Sequence, residues 1–373
     1  MANQQPDAEY YIGIMSGTSM DAIDAVLVCF KPDDQLETSE VHSTPFPEKI
    51  RQSLRELIKP DWAGSLKEVA NLNATLGTLY AQTAQTLIDK SGLPKEAISA
   101  IGNHGQTVWH QPDIEPRFSW QLGDANQIAE ITGVTTIADF RNRDIAAGGE
   151  GAPLVPAFHQ SVFSSANKHR VVVNIGGISN ISVLSPEQST IGFDTGPGNA
   201  LMDAWCLQQQ SLAYDKDGQW AASGQCNQAL LQQFLQDPYF KRPYPKSTGK
   251  EYFNLGWLNS HLDKAIPEED VQATLLELTA VSIQQSIMEA APQTEEVYIC
   301  GGGARNNALM SRLRALMPAV RLEKTDVLGI DADWVEAIAF AWLARQTLKG
   351  LPGNLPSATG AKDFRVLGAI YTA

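Results

Sequence analysis

Three glycine-rich turns carry the first chemical signal: Ser16-Gly17-Thr18-Ser19-Met20-Asp21, Gly176-Gly177-Ile178-Ser179-Asn180 and Gly301-Gly302-Gly303-Ala304-Arg305-Asn306, each directly after an apolar stretch. Glycine lets backbone N–H groups approach a phosphate or a nucleobase with no side chain in the way. The third turn precedes a helical pattern, whose positive N-terminal end favours an anionic or polar ligand. Any one of these is equally well a tight turn at a strand end; the three together favour a nucleotide. The commoner nucleotide fingerprints are absent. Gly301, Gly303 and Asn306, like Gly196, Gly198 and Leu201, miss the last glycine of G-x-G-x-x-G, and Tyr244 with Gly249-Lys250-Glu251 fails the Walker pattern at both ends.

Carboxylates and cations form the second signal. Asp194 reads as following a short strand and preceding Gly196-Pro197-Gly198, a rigid turn that would hold a carboxylate at the strand end as a base; the alternative is a cap or turn aspartate. Asp21 and Asp24, with Ala22 and Ile23 between them, run from the first turn into the next strand, where Asp24 is equally a turn residue. Arg141-Asn142-Arg143-Asp144 follows another strand, and an arginine fork suits a carboxylate; a solvated loop held by Arg–Asp pairing competes with that reading. Glu336 lies in an apolar helical stretch and faces either a ligand or water. His104 and Gln106, after another strand, are secondary candidates. The histidines show no metal spacing, so zinc is not implied.

The elements that must position these residues alternate. Strands are expected over Tyr10–Met15, Asp24–Phe30, Ile98–Gly102, Thr135–Phe140, Arg170–Ile175, Ile181–Leu184 and Val297–Cys300. Helices are expected over Glu48–Ile58, Leu66–Lys90, Ala125–Thr132, Asn199–Gln209, Val271–Ala290 and Asp333–Lys349. A strand, glycine turn and strand open each half of the chain, suggesting an internal structural duplication in an α/β protein.

With 373 residues the chain exceeds the usual growth of one core, so two domains with a cleft between them are expected. The expected lobes are residues 1–132 with 355–373, carrying the first glycine turn, and residues 133–354, carrying the other two. Lysine and arginine total 28 against 42 aspartate and glutamate, a net charge of −14, which argues against a nucleic-acid partner. No run is long and apolar enough to suggest a membrane span, and the polar start of the chain lacks a signal-peptide pattern. Order is expected beyond Met1–Ala8. Cys29, Cys206, Cys226 and Cys300 lack metal spacing and read as buried thiols of a reducing cytoplasm.

Together the hairpin Gly13-Ile14-Met15-Ser16-Gly17-Thr18-Ser19-Met20-Asp21 and the other two turns resemble the two phosphate loops and the adenosine loop of the sugar kinase/actin superfamily. More narrowly, the chain resembles the anhydro-N-acetylmuramic acid kinase family. Supporting blocks are Gly102–Thr107, Asp139–Arg141 through Gly148-Gly149, Gly192–Asn199 and Lys246–Gly249, and the match runs from Tyr11 to Tyr371. The resemblance implies a two-domain actin-like α/β fold with a central cleft and a duplicated mixed-sheet core. It implies ATP and Mg²⁺, with nucleotide contacts from Gly17, Thr18, Ser19, Met20, Asp21, Ala22, Ile23, Asp24, Gly176, Gly177, Ser179, Asn180, Gly301, Gly302, Gly303 and Asn306. Asp21 would organise magnesium through water, and Asp194 would be the catalytic base. Arg141 or Arg143 would meet the substrate's lactyl carboxylate, and His104, Gln106 and Glu336 would line the sugar site. The implied reaction opens the 1,6-anhydro ring of anhydro-N-acetylmuramic acid with water and phosphorylates O6, in cell-wall recycling. Competing expectations are a kinase for another sugar, and an actin-like ATPase without a sugar substrate. A serine hydrolase is remote, because the first turn lacks the closing glycine of G-x-S-x-G. A homodimer is expected from the frequency of such assemblies.

Overall fold

The computed structural model describes residues 8–373 apart from residues 18, 33, 60, 113 and 263–265. Thirteen strands are assigned among them: β1 Glu9–Ser16, β2 Ala22–Phe30, β3 Leu36–Pro45, β4 Ile98–Asn103, β5 Gln106–Gln111, β6 Phe118–Leu122, β7 Thr136–Ala138, β8 Arg170–Ile175, β9 Ile178–Leu184, β10 Ile191–Pro197, β11 Glu296–Cys300, β12 Arg321–Lys324 and β13 Ala369–Tyr371. One sheet has the order β13-β7-β4-β1-β2-β3 and another the order β10-β9-β8-β11-β12, while β5 and β6 form a separate ribbon.

The two large sheets repeat one plan. In the first, β1, β2 and β3 form an antiparallel meander and β4 joins β1 in parallel, with β7 parallel beyond it. In the second, β8, β9 and β10 form the meander, β11 joins β8 in parallel, and β12 is parallel beyond β11. The duplicated mixed-sheet α/β core expected from the sequence is therefore present.

The chain divides into two compact units, Met1–Phe158 with Trp334–Ala373, and His159–Asp333. Residues 133–158 and 334–354 thus fall in the first unit, although the sequence reading placed them in the second lobe. Hydrogen bonding gives the reason: β7 pairs with β4 and β13 inside the first sheet. The helix Val335–Leu348 packs on β1 and β4. Gly13 and Gly102 permit that approach, since a Cβ on either would lie 1.8 Å from Ala337 O and 2.1 Å from Phe340 O respectively. On the sheet's other side lies the helix Leu66–Ser91, begun by a capping box between Ser65 and Glu68 and ended by Gly92 at φ 67. Its Leu72, Leu76, Tyr80 and Leu87 join Ile12, Ile14 and Leu27 in one buried cluster.

In the second unit the helix Glu268–Ala290 is buried along most of its length and packs against β9, β10 and four neighbouring helices. Its burial on several sides accounts for its lack of a polar face. Cys29, Cys206 and Cys300 are buried, but Cys226 is only partly so.

Candidate functional site

In the first unit the β1–β2 hairpin is pinned from within. Ser16 is buried, with its Oγ 2.6 Å from the Tyr80 hydroxyl, whose pKa burial pushes up. The Gly17 carbonyl accepts from Met20 N at 3.1 Å and from Gln106 Nε2 at 3.4 Å. Met20 adopts φ 59 and turns into the core, as does Ile23, so these two anchor the loop. Ser19 and Asp21 remain exposed, and Gly17, Ala22 and Asp24 are half-buried. Thr18 lies outside the described residues.

His104 and Gln106 stand beneath this hairpin, not on its surface. The His104 N–H of the backbone donates to Ile14 O at 3.0 Å, and its ring lies 4.7 Å from that of Phe340. Arg141 Nε donates to His104 Nε2 at 3.0 Å, and burial together with that guanidinium holds the imidazole well below its ordinary pKa. A second Arg141 nitrogen donates to Gly151 O at 2.8 Å. Arg143, by contrast, is exposed and makes no side-chain hydrogen bond or ion pair among the described residues. Asp144 does not pair with either arginine: fully buried, it accepts from Gly151 N at 2.9 Å, Asn354 Nδ2 at 2.7 Å and Thr359 Oγ1 at 2.8 Å. The loop is thus held by amide and hydroxyl donors from the distant C-terminal segment, where the sequence had offered Arg–Asp pairing. Glu336, in the first turn of Val335–Leu348, is half-buried.

In the second unit the turn between β8 and β9 is only Gly176-Gly177, since Ile178 already begins β9. Ser179 and Asn180, expected in the turn, are strand residues facing Ile175 and Asn174. Ser179 Oγ is hydrogen-bonded to Thr195 Oγ1 in the interior. The carbonyls of Gly176 and Gly177 accept from Asn199 N at 2.8 Å and Ala200 N at 3.0 Å, which seats the turn on the start of the helix Ala200–Gln210.

Asp194 likewise lies inside a strand. β10 continues through Gly196 and Pro197, and a bulge between Asp194 and Gly196 replaces the expected rigid turn. The bulge breaks the alternation of side chains at this point. Asp194 faces Asn180, which faces Asn174, so the three form one row across β10, β9 and β8. Thr248 N donates to Asp194 Oδ2 at 3.0 Å, and Asn180 Oδ1 is buried with no partner among the described residues. The third turn forms a short 3₁₀ segment, Gly302–Arg305, and Asn306 caps the helix Asn307–Leu316 by accepting from Leu309 N at 3.0 Å.

The glycines separate into two classes. A Cβ on Gly303 would lie 2.3 Å from Ile175 Cγ2, one on Gly301 2.3 Å from Asn174 Oδ1, and one on Gly198 2.4 Å from Gly176 O, so folding requires these three. Gly17, Gly176 and Gly302 have neither left-handed φ nor crowding: their nearest Cβ neighbours would be at 3.6, 3.5 and 3.7 Å. One glycine with no structural demand therefore stands in each of the three turns.

The family model for anhydro-N-acetylmuramic acid kinase matches residues 9–373. The chain belongs to the anhydro-N-acetylmuramic acid kinase family. Relatives bearing that family's name include one from Pasteurella multocida, 51% identical over 97% of this chain and 96% of the relative. One from Shewanella denitrificans is 50% identical over 98% and 99%, and one from Coxiella burnetii strain Dugway 48% identical over 97% of each. Among solved structures, the activator of 2-hydroxyisocaproyl-CoA dehydratase from Clostridium difficile aligns with 91% of this chain and 97% of its own at 13% identity, with a TM-score of 0.45.

Within this anhydro-N-acetylmuramic acid kinase family chain, the residues around Asp194 that sequence reasoning did not single out are Tyr239, Lys246 and Thr248. The block Lys246–Gly249 was visible, but its contact with Asp194 comes through backbone atoms and leaves no periodic trace. Among the described residues no group of three or more His, Cys, Asp or Glu side chains could hold a metal ion. Asp21 alone, exposed at the hairpin, fits a Mg²⁺ bound mostly by water and phosphate oxygens.

Proposed function

We propose that this chain is an ATP-dependent kinase that opens the 1,6-anhydro ring of anhydro-N-acetylmuramic acid and phosphorylates O6, releasing ADP. The observation that carries the nucleotide part is the trio Gly17, Gly176 and Gly302, whose missing side chains no packing or backbone angle demands. On this reading the open positions of the hairpin, Gly17, Ser19 and Asp21, serve the phosphates together with Gly176, and Gly302 serves the adenosine, while Met20, Ile23, Ser179, Gly301 and Gly303 shape these turns from within. Mg²⁺, when bound through water at Asp21, would neutralise phosphate charge. Family membership supports the choice of sugar.

Asp194 takes a proton from water, the water oxygen bonds to C1, and the C1–O6 bond breaks. O6 bonds to the γ-phosphorus as the bond to ADP breaks. Buried beside Asn180, whose Oδ1 is without a partner, the Asp194 carboxylate has a neighbour able to accept the water's second hydrogen bond. Arg143 is the better contact for the lactyl carboxylate, because Arg141 is committed to His104 and Gly151. His104 and Gln106 would act by bracing the hairpin, and Glu336 by lining the sugar. The product chemistry fits recycling of cell-wall sugars in the cytoplasm, and a homodimer is the proposed assembly.

The test is the reaction in ¹⁸O-labelled water with ATP and the anhydro sugar, followed by mass analysis of the product. Label at C1 is the expected result; label in the phosphate would sink the mechanism. ATP turnover that ignores the sugar would favour the ATPase alternative.

A further inference from the structure

We infer that the segment Pro238–Thr248 aims Asp194, with Tyr239 and Lys246 as positioning residues; the inference rests on Asp194 being the base. Three hydrogen bonds close a ring. The Tyr239 hydroxyl donates to Asp194 O at 2.7 Å, Lys246 Nζ donates to Tyr239 O at 3.5 Å, and Asp194 N donates to Lys246 O at 3.0 Å. A fourth bond, from Thr248 N, fixes a carboxylate oxygen of the same residue. Both backbone groups of Asp194 are therefore tied to one loop at the last residue paired with β9 before the bulge, where Thr195 leaves the register.

Lys246 is what separates positioning from plain packing. It is 5% exposed and has no carboxylate within ion-pair distance among the described residues. Its ammonium donates also to Phe240 O at 3.3 Å and lies 5.0 Å from the Tyr239 ring and 6.0 Å from that of Phe193. Burial pulls its pKa down. A buried cation whose opposite charge, Glu289, acts only from beyond ion-pair distance is costly, and an apolar side chain would fill the same space more cheaply. Its cost is matched by what it fixes: the carbonyls of the turn Pro238–Lys241, on which Tyr239 is mounted. The residues flanking Asp194 are gripped by the same segment. Phe193 stacks on Tyr244 with centroids 4.8 Å apart, and a Cβ on Gly196 would lie 2.8 Å from Phe240 Cε1.

The experiment compares Tyr239→Phe, Lys246→Met, Lys246→Arg and Asp194→Asn in the full chain, by steady-state kinetics with ATP and the anhydro sugar and by thermal melting. Misplacing a base by a fraction of an ångström should lower kcat about tenfold in Tyr239→Phe and Lys246→Met, with KM for both substrates within about twofold. Lys246→Arg should regain part of that loss. If Lys246→Met does not fold, Tyr239→Phe decides the matter. Unchanged kcat in Tyr239→Phe, or a rise in KM alone, overturns the positioning role while an inactive Asp194→Asn leaves the base in place. An active Asp194→Asn overturns the base itself.

Discussion

In the first sheet residues 17–21 separate β1 from β2, and Ser16 faces Ile23; in the second only Gly176 and Gly177 separate β8 from β9, and Ile175 faces Ser179. The strand order is otherwise the same, apart from β13 at the far edge of the first sheet. Two residues before each turn, a row crosses three strands: Met15, Asp24 and Ser43 in the first sheet, Asn174, Asn180 and Asp194 in the second. A repeated apolar framework thus carries a longer loop with Ser19 and Asp21 exposed in one unit, and in the other a polar row in which Asn174 and Asp194 are buried and Asn180 half-buried. The framework answers to packing, while the chemistry depends on a few identities that packing leaves open.

The largest effect should come from breaking that asymmetry at its acidic end. Asp194→Asn should lower kcat by about 10³-fold, within the range for a lost general base, while Ser43→Ala at the matching register should change kcat by less than about twofold. Comparable losses in the two variants would remove the distinction between the rows.

Next come the two classes of glycine. Gly176→Ala and Gly302→Ala should weaken ATP binding by about tenfold, measured by calorimetry, with an unchanged melting temperature, because the methyl would meet ligand and not protein. Gly303→Ala should do the reverse, lowering stability by about 1–3 kcal/mol as the methyl strikes Ile175. Equal melting losses in all three would make the open glycines structural after all.

Arg141 and Arg143 divide in the same way within one loop. Arg143→Ala should raise KM for the sugar about fivefold with stability unchanged, as expected when a charge-assisted contact is lost. Arg141→Ala should lower the melting temperature, since it leaves the Gly151 carbonyl and His104 without their donor. A KM unaffected in Arg143→Ala would end its assignment to the lactyl group.

Acid should act on the stability of both units. Burial holds His104 well below its ordinary pKa, His110 at about 4 and His159 at about 3. Below the model-peptide value of about 6.5 the unfolded chain binds protons that the folded chain refuses, so stability falls as pH drops from there, by up to about 1.4 kcal/mol per pH unit for each histidine. Calorimetry between pH 7 and 5 would show it; His159→Phe should flatten the slope of the second unit only.

The sequence was most legible where burial on one or both faces writes a pattern, as in β1, β2, β8 and the helices Leu66–Ser91 and Glu268–Ala290. β3 was overlooked because it is an edge strand, half-exposed and rich in polar residues, and the β5–β6 ribbon because its tryptophans and glutamines show no clean apolar face. β7 ended early at Asp139, whose φ of 59 leaves the strand region. At Asp194 the composition of Gly196-Pro197 suggests a turn, yet a bulge lets the strand carry both. The partners of Arg141 and Asp144 leave no local trace, because His104, Asn354 and Thr359 reach that loop from far along the chain.

The first sheet's β7 is completed by β13, and its β1 and β4 are covered by the helix Val335–Leu348, both contributed by the last part of the sequence. The second unit, His159–Asp333, is continuous. During synthesis on a ribosome, the second unit can finish folding while the first still awaits its closing strand, so the order of emergence is inverted for the order of completion. Until residue 371 is made, the β7 edge stays unpaired, and a nascent or prematurely stopped chain would present it to whatever strand came near.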